Sequence, residues 1–375
     1  MRKHIIYRYF LFLSLDGLMQ LTLSCSSSSN EIEPLKPEGE DTPLEKDEYT
    51  FMNVEYRKWQ NGTFQAWTTA DSRETRTIDN MNWYTPSSDY SRTAWGGRIG
   101  LQPSSVVGKE GFFRVANCGG RSYLLDPDNG AVIIHGIQHV RPGESTAHKK
   151  AFGTRYGSEA RWSEETGKLL ADNHINYISY GSNRIEVFPA AVRGNLLTPK
   201  TQKIAYAENL YLLRTFMWDM SKNLGYAFDD DKYNRLVLLF EPTFATYIDR
   251  LVQEKSALFA GDRHFIGFYL DNELPFASYQ GTGYANTEGG GWLVHTQKNR
   301  GEFYQNFCLR LLETRNCVGW VHFEYNDGYD SNGKASNKGV VSIEYEPYES
   351  FLSQMRQLNL SVHSLIDYYD IKSVQ

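Results

Sequence analysis

From Phe112 onward the sequence alternates strand-like and helix-like stretches. That alternation predicts an α/β fold, a parallel sheet whose strands are joined by crossover helices. Two further observations agree. Hydrophobic residues make up 41% of the 375, enough for a substantial core and too many for a disordered chain. The expected strand ends read IQHVRPG (137–143), SYGSNR (179–184), DNELPF (271–276) and HFEYND (322–327). All are polar or aromatic, and α/β folds of this kind gather their chemistry at the C-terminal ends of the strands.

Taken in order, residues 1–25 (MRKHIIYRYFLFLSLDGLMQLTLSC) run from basic to apolar to small residues before Cys25, the pattern of a secretory signal. The ending LTLSC resembles a bacterial lipobox, although Asp16 interrupts the apolar stretch and Thr22 stands where such signals prefer Leu. The resemblance implies lipidation of Cys25 and a place at the outer membrane or cell surface. Residues 26–48 are polar, acidic and rich in Ser and Pro, and read as a flexible tether. Residues 49–111 hold Trp59, Trp67, Trp83 and Trp95 among turn residues and read as an irregular, β-leaning segment.

Residues 112–375 carry the alternation. DPDNG (126–130) is a turn signal between apolar runs and predicts a hairpin, with Ala131 to Val140 as the first strand of the larger sheet. Helices are expected over 161–175, 204–225, 243–259, 301–314 and 347–370 from their apolar spacing. Strands are expected at 176–183, 235–240 (RLVLLF), 264–273 and 317–328.

Composition narrows the function classes. A formal net charge of −6 argues against nucleic acid as a partner, which calls for a basic patch. No apolar run of about 18 residues follows the first 25 positions. The four cysteines include no C-x-x-C pair, so no zinc or redox site is expected; Cys308 and Cys317 read as core thiols, with a disulfide as the alternative. DDDKYN (229–234) lacks the ligand spacing of a calcium loop. No metal and no cofactor is expected. Aromatic residues reach 14%, which suits heavy packing or a sugar-stacking surface equally.

The candidate chemistry centres on FIGFYLDNELPF (265–276), an apolar run that ends on Asn272 and Glu273. A carboxyl group half shielded by aromatics at a strand end loses hydration, which favours its protonated form and suits a general acid. Asn272 could hydrogen-bond a substrate hydroxyl. Read alone, an Asn-Glu pair is equally a capping or salt-bridged glutamate.

The blocks YLLDPDNGAVIIHGIQHVRPG (123–143), FIGFYLDNELPF, NTEGGGWLVHTQKNRGEFYQNF (286–307), VGWVHFEYND (318–327) and NKGVVSIEYEPY (337–348), in this order, resemble bacterial β-agarase-like glycoside hydrolases. Those are retaining enzymes on a (β/α)8 TIM barrel that cut red-algal galactans. The resemblance implies polysaccharide as the partner, agar or porphyran, and Glu273 as general acid/base at the end of the fourth strand. It also implies a second, nucleophilic glutamate shortly before the glycine-rich block, but here YQGTGYANTEGGGW (279–292) follows DNELPF almost at once. Residues 273–318 leave room for one βα unit of roughly 30 residues, not for three. The expected barrel is therefore incomplete, with strands five to seven missing.

Glu324, at the end of the last strand, and Glu288, in the glycine-rich block, are the substitutes to consider for the nucleophile. Gln138, His139 and Arg141 after the first strand look, in the family context, like sugar hydrogen-bonders; alone, His139 reads as structural. Asn183 and Arg184 end the second strand. Alternation would send Trp320 and His322 to one face of the last strand and Tyr325 to the other, with Trp320 either stacking on sugar or lying in the core. Three outcomes are open: a surface-anchored galactan hydrolase, a galactan-binding remnant that cuts nothing, and an internal-deletion product that folds poorly.

Overall fold

The computed structural model describes residues 49–60, 63–87, 90–181, 188–224, 240–270, 292–329 and 335–372. All lie in the second of the two units into which the chain divides, Asp47–Gln375.

The described chain begins with strands β1 (Met52–Arg57) and β2 (Asp71–Thr75), then β3 (Ser105–Val107), β4 (Arg114–Cys118), β5 (Arg121–Leu125) and β6 (Ala131–Val132). β3 to β6 pair in sequence as a four-stranded antiparallel meander. The DPDNG turn joins β5 to β6 as expected. Asp126 closes it: its Oδ1 accepts from the backbone N–H groups of Asp128 and Gly130, both at 2.9 Å, and Asn129 takes φ +68°. The arm expected to run from Ala131 to Val140 divides at Ile133. Its first part stays in the meander, and its second, β7 (Ile134–Ile137), enters a different sheet.

After β7 come α1 (Thr146–Arg155), α2 (Glu159–Asp172), β8 (Tyr177–Ile178), α3 (Ala190–Leu197), β9 (Ala205–Asn209), α4 (Leu212–Leu224), α5 (Phe244–Leu258) and β10 (Phe265–Tyr269). β11 (Leu293–Val294), α6 (Gln297–Glu313), β12 (Gly319–His322) and α7 (Glu349–Lys372) complete the described elements used below. Ser145, Ser158 and Thr296 cap α1, α2 and α6, each hydroxyl accepting a backbone N–H of the first turn. β11 returns to pair antiparallel with β1, whose other edge carries β2.

The central sheet has five parallel strands in the order β10-β9-β8-β7-β12. One expectation fails here. Ala205–Asn209 forms β9, whereas the apolar spacing read it as the start of a helix from residue 204. The helix begins only at Leu212, after Asn209 Oδ1 accepts the N–H of Tyr211 at 2.8 Å and Tyr211 takes φ +48°. RLVLLF, the expected strand, lies outside the described residues except for Phe240.

Alternation gives the sheet two different faces. Ile137, Ile178 and Tyr206 point to the helices and share a core with Trp162, Leu170, Leu196, Phe351 and Leu352. Fully burying each aliphatic side chain there is worth about 1.5–3 kcal/mol. The opposite, inner face carries Ile134, Tyr177, Ala205 and Ala207, packed with Trp95 and Val132 from the preceding chain. Gly136 stands on this face because a Cβ there would meet Tyr177 Cδ1 at 2.5 Å. The aromatic-rich segment is largely packing. Trp95 is buried, and the Trp67 ring has His295 stacked at 3.5 Å with the Arg57 guanidinium 4.6 Å from its centroid, whereas Trp83 is 86% exposed.

Cys118, Cys308 and Cys317 are free thiols. Burial pushes the Cys308 thiol well up, which keeps it protonated and inert. Among the described residues, no helix is long and apolar enough to cross a membrane.

Candidate active site at the strand ends

The C-terminal ends of β7, β8, β9, β10 and β12 lie side by side, and the residues that follow them form the candidate site. The chain after β12 is bound to the chain after β7 by backbone hydrogen bonds: Gln138 N–H to the His322 carbonyl and Tyr325 N–H to the Gln138 carbonyl, both 3.0 Å. This ladder brings two side chains together. His139 Nδ1 lies 3.0 Å from Glu324 Oε2, with His139 25% and Glu324 17% exposed. A carboxylate only accepts, so Nδ1 carries the proton. Phe323, 43% exposed, meets the His139 ring edge-to-face with centroids 5.0 Å apart, and the Lys338 ammonium lies 5.6 Å from the Phe323 centroid.

Glu324 is also fixed through its backbone. Its N–H donates to the Lys338 carbonyl at 3.3 Å, and its carbonyl accepts from Val340 N–H at 3.2 Å. The Lys338 carbonyl further accepts His322 Nε2 and Arg300 Nη2, each at 2.9 Å. Arg300 comes from α6, so a helix on the outer side of the sheet steadies the segment that holds Glu324.

A second polar group lies on the inner face at the ends of β8 and β10. Tyr269 Oη accepts from Tyr177 Oη at 3.2 Å and Ser179 Oγ at 3.3 Å, and its ring lies 4.6 Å from that of Tyr180. Tyr269 was missed in the sequence; SYGSNR had already marked Ser179 and Tyr180 as part of a polar strand end.

Other expected site residues are placed as follows. Arg141 pairs with Glu144 at 3.0 Å at the surface. Trp320 and His322 do not reach the rim. Both point to the helices: Trp320, 6% exposed, donates its indole N–H to Tyr304 Oη at 2.6 Å, and the His322 ring packs 5.1 Å from that of Phe351. Burial, reinforced by the Arg300 charge, pulls His322 down to about 4, so its imidazole is neutral. The strand ends at His322, and alternation does not carry to Tyr325, which is buried with its hydroxyl 2.9 Å from Thr166 Oγ1. The inner-facing residue between Trp320 and His322 is Val321, paired with Gly136. Glu273, Asn272, Asn183, Arg184, Glu288 and Cys25 lie outside the described residues. Among the described residues, no group of three or more His, Cys, Asp or Glu could hold a metal ion.

No protein-family model matches the chain, and no curated protein matches it. Solved structures do. The chain has the fold of the crystal structure of BpGH50, at a TM-score of 0.70 and 18% identity, over 90% of this chain and all of that one. Weaker matches are an agarase, AgWH50C (TM-score 0.46, 13% identity, 75% of this chain and 67% of that one), and an exo-β-agarase (TM-score 0.41, 10% identity, 75% and 69%). The likeness to BpGH50 is one of fold.

Proposed function

We propose that this chain is a retaining glycoside hydrolase that cuts red-algal galactan of the agar or porphyran type. The observation that carries the reading is Glu324, a pinned carboxylate at the end of β12, on the same strand-end rim as β10, the strand that leads into Glu273. Retaining hydrolysis needs two carboxylates about 5–5.5 Å apart across the scissile bond. In this reading Glu273 protonates the glycosidic oxygen as general acid. Glu324 attacks the anomeric carbon and forms a glycosyl ester, which water then hydrolyses with Glu273 as base. The sheet order supports a (β/α)8-type arc: β7 pairs with both its successor β8 and the last strand β12, as first and last strands do where a barrel closes. The five strands then correspond to strands one to four and eight, with no counterpart of five to seven among the described residues. Cys25 lipidation and the acidic tether would hold the enzyme at the cell surface, a placement supported by the pattern of residues 1–48 alone.

The test is reducing-end release from agarose and porphyran by the full-length chain, beside Glu273→Gln and Glu324→Gln. The reading expects each substitution to lower turnover by about 10²–10⁴-fold. Release that survives Glu324→Gln removes that residue as nucleophile. The short interval over residues 273–318 favours a second reading, a galactan-binding remnant. Its signature is retention on agarose with no sugar released by the unmodified chain.

A further inference from the structure

We infer that His139 is a positioning residue for Glu324, rather than a group that touches sugar. The inference rests on the reading of Glu324 as the reacting carboxylate, and it is carried by how much of the local structure is committed to one imidazole orientation.

His139 sits at φ +57°, in the left-handed region that a non-glycine residue adopts only at a cost. Its ring occupies the space where residue 181 would carry a side chain. A Cβ on Gly181 would lie 2.3 Å from His139 Cδ2 and 2.6 Å from Nε2, and Gly181 itself takes φ +80°. On another side the Phe323 ring meets the imidazole edge-to-face. The ring is thus held by the ends of β7, β8 and β12 together, and the atom this leaves toward Glu324 is Nδ1, at 3.0 Å from Oε2.

Only one carboxylate oxygen is used. Oε1 of Glu324 accepts no hydrogen bond from the described residues, while the main chain on either side of the carboxylate is bound to Lys338 and Val340. One oxygen is held by a fixed donor, which is how a reacting carboxylate is oriented. A misplacement of about 1 Å in such a group costs roughly 10²-fold in rate.

The experiment measures kcat and KM for reducing-end release by the full-length chain as wild type, Glu324→Gln, His139→Ala and His139→Asn, with a thermal melt of each to fix the folded fraction. His139→Ala should lower kcat of the folded protein roughly 10²-fold with KM unchanged. Asn tolerates the left-handed backbone and keeps a side-chain N–H donor, so His139→Asn should recover most of the loss. A fall in melting temperature with kcat of the folded fraction intact would make the histidine structural only and overturn the inference. So would a rise in KM alone, which would make His139 a sugar contact. If wild type and Glu324→Gln release sugar equally, the nucleophile reading fails and takes this inference with it. If Glu324→Gln is inactive while His139→Ala is unimpaired, this inference alone fails. Wild type that releases no sugar ends both.

Discussion

Arg121, on the antiparallel meander, grips Asp370, near the end of the last helix. Its Nη2 and Nε reach the carboxylate at 2.6 and 3.0 Å, and its Nη1 donates to the Leu312 carbonyl of α6 at 2.8 Å. The guanidinium is wholly buried and the carboxylate about a quarter exposed. Removing one partner of a buried pair leaves an uncompensated charge, at a cost of about 3 kcal/mol for a pair at this edge of burial. Asp370→Asn should lower the urea midpoint accordingly, while Arg121→Met with Asp370→Asn together should lower it by less than the two singles added. Additive losses would mean the pair does not act as a unit.

Three buried histidines set the acid limit of the fold. Burial pulls His135 and His363 down to about 3 and His322 to about 4. Each is neutral when folded, whereas the unfolded chain takes up a proton near pH 6.5. Between about pH 6.5 and those folded values the unfolded state binds more protons, so stability is complete above 6.5 and is lost as pH falls. The slope is about 1.4 kcal/mol per pH unit per group. Urea midpoints taken from pH 7 to pH 4.5 should fall, and His363→Leu should flatten the slope by about one group's share. A slope untouched by that substitution would assign the acid sensitivity elsewhere.

Trp320→Phe should destabilise without altering sugar recognition. The indole N–H donates to Tyr304 Oη inside the core, and losing that hydrogen bond costs about 0.5–1.5 kcal/mol. Denaturation and agarose retention measured on the same variant separate the two roles; weakened retention from a fully folded variant would return Trp320 to the binding surface.

Gly136→Ala tests the inner face. The new methyl would meet the Tyr177 ring and Val321 Cγ2, which lie 2.5 and 3.1 Å from the ideal Cβ position. Overpacking of this kind costs about 1–3 kcal/mol. An unchanged melting temperature would mean that β7, β8 and β12 do not approach as described.

The parts of the molecule legible in the sequence were those whose signals are local. The DPDNG turn announced itself through Asp126, Asn129 and Gly130, and the helices at 244–258, 297–313 and 349–372 through their apolar spacing. β9 was hidden because AYAEN runs directly into an apolar helix, and five residues are too few to separate period 2 from period 3.6. Its boundary marker, Asn209 bonded to Tyr211, looks like any other helical asparagine in the sequence. Strand β12 showed its polar end, but not the place where alternation stops, so Tyr325 was assigned to the wrong side. Glu324 and His139 were each singled out for a different role. Their contact spans 185 residues, and no local pattern encodes a pairing of that range.

That separation has a kinetic meaning. Chain order makes β12 the last strand of the central sheet to leave the ribosome, and among the described residues its neighbour in that sheet is β7, the first of the five. Closing so long a loop is entropically costly and slow relative to local pairings. The carboxylate and its imidazole therefore meet only when the late segment docks on the early one. A nascent or clipped chain lacking that segment keeps His139 without Glu324, so the contact reports that the late segment has docked on the early one.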